Sequence, residues 1–231
     1  MSLLQGLHLF EIVMMVLGVI LFFYALPKIT SKPKTAIGCF LVCAIFIGWP
    51  SIQSIEYGKL VVTLKDANDK LLKDPTDAQA RHVVADNLPK VEGRPARNAQ
   101  VATAIASAQF AIGNEAAAEA SLNQALGANP QFPEALALRE KIASIRKLDQ
   151  LTLKVESNLQ DEAAKQELTQ QLAQVVKEPI ANPEALAKVA QAQAAIGNRA
   201  AAVSAAEKVS KISPNSALAT KLNRKILSAP H

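Results

Sequence analysis

Two long apolar runs open the chain, separated by a short polar turn. The first, residues 7–26, reads LHLFEIVMMVLGVILFFYAL, and the second, residues 35–55, reads TAIGCFLVCAIFIGWPSIQSI. A helix of about 20 residues is about 30 Å long, which matches the hydrocarbon core of a bilayer. Pro27 ends the first run, and Pro50 is expected to bend or end the far part of the second. We therefore predict a transmembrane hairpin of two helices over residues 1–57.

Two alternatives to a membrane hairpin fit the sequence less well. A cleaved signal peptide would carry Lys or Arg before a shorter apolar core, but residues 1–9 contain neither. A buried soluble hairpin would need apolar surface downstream to cover it. Only Phe110 and Phe132 among the aromatic residues follow Tyr57, so the remainder of the chain is poor in bulky apolar side chains.

The lysines of the turn predict the orientation of the hairpin. Lys28, Lys32 and Lys34 lie in the turn, no basic residue precedes them, and Lys59 is the next one in the chain. The positive-inside rule places such a turn in the cytoplasm. We then expect a multi-pass protein of a bacterial inner membrane, with both termini and the remaining helices in the periplasm.

Small side chains in the second run are candidates for docking on another membrane protein. Cys39 and Cys43 are one helical turn apart and form a stripe with Ala36, and Ala44 with Gly48 forms a second stripe. Small residues let membrane helices approach closely. The stripes therefore serve either to hold the hairpin together or to dock it on a partner.

Glu11 is the one acidic residue within the two runs. A carboxylate in a membrane is usually paired or functional. Because Glu11 lies about one turn inside the first run, three roles stay open. These roles are an interaction with the lipid headgroups, a polar contact with a partner subunit, and membership of a proton-linked site.

Beyond residue 57 the chain has the pattern of amphipathic helices. Apolar residues recur at helical spacing, and no segment alternates as a half-buried strand does. Thr76 is expected to cap the helix that begins at Asp77, and Pro133 and Pro183 occupy first-turn positions, where proline is tolerated. The predicted helices cover residues 53–74, 77–91, 95–112, 115–128, 133–147, 148–158, 161–177, 183–196, 199–211 and 216–227.

This helical part repeats itself at an offset of 84 residues. The sequence AIGN at 111–114 recurs at 195–198, and matches without a gap extend from residue 77 to residue 142. A fixed period of helical units is the signature of an α-solenoid. We therefore predict an all-α fold with two tandem copies, residues 58–147 and 148–231, behind the hairpin.

Within each copy, small residues, a turn glycine and a closing proline follow one another at matching spacings. These positions are Ala106, Gly113, Ala118, Leu122, Ala125 and Pro130, then Ala190, Gly197, Ala202, Ala206, Val209 and Pro214. The pattern resembles the tetratricopeptide repeat, a pair of antiparallel helices of about 34 residues. The early tryptophan and the tyrosines of that family are missing, since Ala102 and Gln109 stand in their places.

The resemblance implies a surface that binds partner proteins. In the tetratricopeptide family the first helix of each pair largely lines the concave face, and the Lys and Asn residues that clamp a C-terminal carboxylate in some members are not at the matching places here. Phe110 has two interpretations, since it either fills the core or anchors a partner. The candidates carried over by position are Gln100, Thr103, Ser107, Phe110 and Gln191.

Residues that carry chemistry are sparse. His8, His82 and His231 are far apart in sequence, and both cysteines lie in the second apolar run. No phosphate-binding glycine loop, haem-attachment motif or nucleophile elbow is present. The net charge of +5 is not gathered with aromatic residues into a basic patch, which disfavours nucleic-acid binding. We predict no enzymatic activity, no cofactor and no metal ion.

The sequence leaves three functions open. The first is a membrane-anchored scaffold that binds partner proteins and assembles or stabilises an envelope membrane complex. The second is a permanent accessory subunit of a large multisubunit membrane enzyme, respiratory or similar. The third follows from a layout similar to the cytochrome c maturation proteins that join two membrane spans to a periplasmic tetratricopeptide domain, although their cytoplasmic loop is longer. The expected partners are other proteins, mainly subunits of a membrane complex, together with the lipid bilayer.

Overall fold

The structure, a computed structural model, describes residues 9–31, 33–92, 96, 98–214 and 216–227. Over these residues the chain forms eleven α-helices and no strand, which confirms the predicted all-α class. The helices are α1 (Leu9–Ala25), α2 (Lys28–Ser31), α3 (Pro33–Lys73), α4 (Ala78–Glu92), α5 (Ala99–Ala111), α6 (Glu115–Ala128), α7 (Pro133–Ser157), α8 (Glu162–Val175), α9 (Pro183–Ala195), α10 (Arg199–Ile212) and α11 (Ala217–Leu227).

Helices α1 and α3 pack as an antiparallel hairpin joined by the short helix α2. Gly18 lies directly against α3, since a Cβ atom there would be 2.9 Å from Cγ1 of Ile47 and 3.2 Å from Cβ of Phe46. Nearer the turn, the rings of Phe22 and Phe40 meet edge to face with centroids 5.5 Å apart. The absence of a side chain at Gly18 therefore sets how closely the two helices approach.

Over the residues that the structure describes, no helix combines the length and the apolar character needed to cross a membrane. Helix α1 has 17 residues. Helices α1 and α3 thus form a helical hairpin, which the described residues do not support as two membrane spans. Their crossing of a bilayer stays a prediction.

Helix α3 runs without interruption for 41 residues. Pro50 was expected to bend or end the second run, and an end there is wrong, because the helix passes this position and continues through the predicted helix 53–74. A proline in a helix interior costs about 3 kcal/mol. Here α1 packs on one part of α3, and α4 and α5 pack on another, so tertiary contacts hold both sides of the proline in helical conformation.

The helices that follow the hairpin pack as successive pairs. The C-terminal part of α3 pairs with α4, α5 with α6, α7 with α8, and α9 with α10, while α11 covers the last pair. The first helices of neighbouring pairs pack side by side, and each second helix also contacts the first helix of the next pair. This connectivity is that of a helical repeat protein.

The offset of 84 residues is present in the backbone as well as in the sequence. Helix α9 begins and ends 84 residues after α5, and α10 does so after α6. Gly113 and Gly197 both adopt positive φ angles, 97° and 82°. Asn114 and Asn198 then cap the next helices by accepting hydrogen bonds from backbone N–H groups three residues on. The two copies therefore share local conformation and not only composition.

Helix α7 is longer than the sequence predicted. The sequence predicted two helices, 133–147 and 148–158, but residues Pro133–Ser157 form one helix. No glycine or proline interrupts the segment after Pro133, and Ile142, Ile145, Leu148 and Val155 are buried along one face. The predicted boundary at residue 147 thus lies inside a helix.

Replacing Gly113 by alanine is expected to destabilise the chain by about 1–2 kcal/mol, because an L side chain is strained at positive φ. Gly127 provides the control, since it lies inside α6 and a Cβ there would meet no atom within 4 Å. Gly127→Ala is expected to stabilise by about 0.5–1 kcal/mol. Urea unfolding followed by circular dichroism measures both, and changes of the same sign would contradict the assigned backbone conformations.

Candidate partner-binding surface

A cavity of about 170 Å³ lies between the first helices of the first three pairs. Its walls come from α3, α5, α7 and the loop 176–182, which joins α8 to α9 and which we call the strap. Its lining is mainly apolar, from Leu72, Phe110, Ala111, Ala137, Leu138 and Ala181.

Polar groups line the same cavity. Asn68 on α3 is buried, and Ser107 on α5 is half-buried. Lys141 on α7 donates a hydrogen bond of 2.8 Å from Nζ to the carbonyl of Pro179 and lies 3.3 Å from a carboxylate oxygen of Glu178. An apolar pocket with a few fixed polar groups suits the binding of an apolar side chain next to a polar backbone.

The structure brings only some of the predicted partner-binding residues to this cavity. Ser107 and Phe110 line it, and Phe110 is 5% exposed, so its side chain belongs to both the core and the cavity wall. Thr103 is buried and its hydroxyl donates to the carbonyl oxygen of Ala99, 2.7 Å away. Gln100 is exposed, and the half-buried Gln191 lies on α9 outside the lining. Binding of a partner by these residues stays a prediction.

The two stripes of small residues in the hairpin face different directions. Ala36 and Cys43 are buried and Cys39 is half-buried, which places this stripe toward the contact with α1. Ala44 is exposed, and a Cβ atom on Gly48 would meet nothing within 4 Å. The first stripe thus packs the hairpin, and the second lies on its outer surface. The side chain of Glu11 lies outside the described residues.

The strap returns from the third helix pair to the first, where Arg81 on α4 holds it. Arg81 donates from Nη2 to the carbonyl of Ala181 in the strap and from Nη1 to Ala111 at the end of α5, at 3.3 Å. Its Nε and Nη2 atoms also donate to the carbonyl of Pro75, at 3.0 and 2.8 Å. Burial lowers the pKa of the Arg81 guanidinium from its ordinary value. One side chain therefore joins three separate segments.

The last three residues of the strap are packed against the protein, whereas residues 176–179 are exposed. Ile180 and Ala181 are buried, and Asn182 is 1% exposed. The side chain of Asn182 accepts a 2.9 Å hydrogen bond from the N–H of Ala185, so it caps α9 from within the core. No role was predicted for these residues from the sequence. The sequence did contain a signal of this burial, because two apolar residues, Ile180 and Ala181, precede the capping Asn182, whereas an exposed loop is usually polar.

A cluster of charges joins α6, α7 and α9 on the outside of the repeats. Arg146 donates to Glu119 and Glu115, both at 2.5 Å, and these hydrogen bonds raise the pKa of Arg146. Lys188 lies 4.0 Å from Glu115 and 3.6 Å from Asp149. Because these groups are partly exposed and oppositely charged, the cluster contributes modestly to stability.

The two copies differ in one buried polar contact. In the first copy, Gln109 donates to Glu92 at 2.8 Å and accepts from the hydroxyl of Ser121 at 2.7 Å. The equivalent glutamine in the second copy is Gln193, and Ala205 stands at the position of the serine. Among the described residues, Oε1 of Gln193 is buried without a hydrogen-bond partner. An unsatisfied buried acceptor costs about 1–3 kcal/mol.

Replacing Ala205 by serine is expected to stabilise the chain by about 0.5–1.5 kcal/mol, because the new hydroxyl would donate to Gln193 as Ser121 does to Gln109. Ala200→Ser on the exposed side of α10 is the control, and it should lose up to about 0.5 kcal/mol through lower helix propensity. Thermal unfolding measures the difference. Equal effects of the two substitutions would refute the proposed contact.

No family model, curated protein or solved structure matches this chain. Among the residues that the structure describes, no group of three or more His, Cys, Asp or Glu side chains is arranged to hold a metal ion. The cavity between α3, α5 and α7 and the apolar hairpin are therefore the features on which a function is argued.

Proposed function

We propose that this protein is a membrane-anchored helical-repeat scaffold that binds other proteins of an envelope membrane complex. The proposal combines two surfaces of the chain. The hairpin of α1 and α3 is the anchor, and the cavity between α3, α5 and α7 receives a segment of a partner. No reaction is assigned to either surface.

The exposed apolar side chains of the hairpin carry this proposal. Phe23 is 65% exposed, Leu41 is 64% exposed, and Ile20, Ile37 and Ile45 are exposed as well. Burial of one such side chain is worth about 1.5–3 kcal/mol. Contiguous apolar surface of this kind marks a membrane or protein contact. Lipid around both helices removes all of these side chains from water at once, whereas a partner on one side would cover only part of them.

The turn between the two helices supports the proposed orientation. The ammonium group of Lys28 lies 3.7 Å from the centre of the Tyr24 ring and donates a hydrogen bond to its hydroxyl. Tyrosine and lysine are typical of the membrane–water interface, and lysines accumulate on the cytoplasmic side. In this arrangement the turn faces the cytoplasm of a bacterium, and the termini and repeats are periplasmic.

A permanent accessory subunit of a larger membrane enzyme is the second candidate function. It is favoured by the outward stripe of Ala44 and Gly48, which is open to close approach by a helix of another subunit. In that case the partner is held at fixed stoichiometry. A scaffold used during assembly releases its partner instead.

Affinity purification in mild detergent from native membranes tests the proposal and separates the two functions. The cavity variant is Ala137→Trp, which introduces a large side chain at an exposed position of the lining. The control is Ala143→Trp, an exposed position of the same helix outside the lining. We expect membrane proteins to co-purify with the unmodified chain and the control, and to be reduced at least tenfold with Ala137→Trp.

The stoichiometry of the captured proteins decides between the candidates. A fixed equimolar partner favours the accessory subunit, and substoichiometric partners favour the scaffold. Equal recovery with Ala137→Trp and Ala143→Trp would contradict the role of the cavity.

A further inference from the structure

Helix α3 belongs to two packing units at once. In its first half, Ala36 and Cys43 are buried within the hairpin. In its second half, Tyr57, Leu64 and Leu71 are buried in the core of the first helix pair. One continuous helix therefore connects the proposed anchor to the repeats without a loop between them.

The length of α3 sets the distance between the proposed anchor and the cavity. Its 41 residues correspond to about 60 Å, of which a bilayer core would occupy about 30 Å. About 23 Å of helix separates Tyr57 from Leu72 in the cavity wall. The cavity is therefore held within about 25 Å of the end of the anchor.

Each half of α3 is held by different neighbours. Helix α1 packs on the first half of α3, and α4 and α5 pack on the second half. The first pair is in turn joined to the third pair because Arg81 holds the carbonyl of Ala181 in the strap. Rotation of the repeats relative to the hairpin therefore requires a bend or a break in α3 itself.

We propose that α3 is a rigid post that fixes the height and the rotation of the cavity above the membrane, and that the partner is a protein attached to the same membrane. This inference rests on the proposed membrane anchoring. A flexible linker would suffice to hold a scaffold for soluble partners. A rigid post holds the cavity within about 25 Å of the bilayer surface. It therefore raises the effective concentration, at the cavity, only of those partner segments that also lie within this distance of the membrane.

The distance between two spin labels on α3 tests the post directly. The labels replace the exposed residues Ile37 and Lys65 in a full-length chain carrying Cys39→Ala and Cys43→Ala, reconstituted in nanodiscs of phosphatidylethanolamine and phosphatidylglycerol. We expect a narrow distribution centred at about 42 Å. A matched variant with a five-residue Gly-Ser linker inserted after Gly58 should give a broad distribution. A broad distribution in the chain without the linker would overturn the proposal.

A second label measures the height of the repeats above the membrane. A fluorophore at Lys73→Cys is paired with acceptor-labelled lipid headgroups in the same nanodiscs. A seven-residue helical insertion after Gly58 should move the fluorophore away by about 10 Å while preserving its face within about 20°. Unchanged energy transfer would refute the fixed height.

The two experiments distinguish a failure of the proposed membrane anchoring from a failure of the rigid post. A chain that does not enter nanodiscs but keeps the 42 Å distance in detergent would refute the anchoring, and with it the inference about a membrane-attached partner. A chain that enters nanodiscs but gives a broad distance would refute only the rigid post.

Discussion

The Arg81→Ala variant is expected to lose about 2–4 kcal/mol of unfolding free energy, because a charged donor is removed from three partly buried carbonyl oxygens. These carbonyls belong to Pro75, Ala111 and Ala181, so the substitution detaches the strap and leaves the end of α5 without its donor. Urea unfolding of the full chain in detergent, followed by circular dichroism, measures the loss.

Lys165 is the matched control for Arg81, since it lies 84 residues later on α8. Its ammonium group pairs at 2.7 Å with Glu162, whose carboxylate is largely exposed. An exposed ion pair of this type is worth at most about 1 kcal/mol. We expect Lys165→Ala to change stability by less than about 0.5 kcal/mol. A loss for Lys165→Ala equal to that for Arg81→Ala would contradict the assigned role of Arg81.

The Gly18→Ala variant is expected to destabilise the hairpin by about 1–3 kcal/mol through overpacking. The added Cβ would lie 2.9 Å from Cγ1 of Ile47 and 3.2 Å from Cβ of Phe46. The side chain of Ile47 can rotate, but Cβ of Phe46 moves only with the helix backbone. The two helices must therefore separate, and thermal loss of helicity in detergent should begin at a lower temperature.

Gly48→Ala is the control for this substitution. Gly48 lies on the same hairpin, and a Cβ there would meet no atom within 4 Å. The variant should be neutral or stabilised by up to about 1 kcal/mol, because alanine favours the helix over glycine. Equal destabilisation by Gly18→Ala and Gly48→Ala would show that the helices do not pack through Gly18.

Features determined by local sequence could be predicted. Several helices after residue 76 begin after capping residues such as Asp161 and Asn198, whose side chains accept backbone hydrogen bonds. The predicted cap at Thr76 is wrong by one residue, since the side chain of Asp77 accepts the N–H of Ala80. Gly113 and Gly197 end their helices at positive φ, as a turn glycine at that spacing implies. Each cap and each turn glycine depends on only a few neighbouring residues, so its position can be read from the sequence alone.

Features determined by tertiary contacts could not be predicted. Pro50 indicated an end to the second apolar run, but packing by α1, α4 and α5 holds α3 together across it. Arg81 and Ala181 are 100 residues apart, and no periodic pattern relates them. The cavity itself was not predicted, and only two of its lining residues were among the predicted candidates, for the same reason. Ser107 and Phe110 follow from the repeat pattern, whereas Asn68 lies on a helix that the pattern does not include.

Extraction of native membranes with alkaline carbonate tests the central claim of a membrane-anchored repeat protein most directly. The procedure releases proteins held at the membrane surface and leaves those embedded in the bilayer. The exposed apolar hairpin predicts that the full chain stays in the membrane pellet, together with an integral membrane protein used as a marker. Recovery of the full chain in the carbonate supernatant, with the marker still in the pellet, would contradict it.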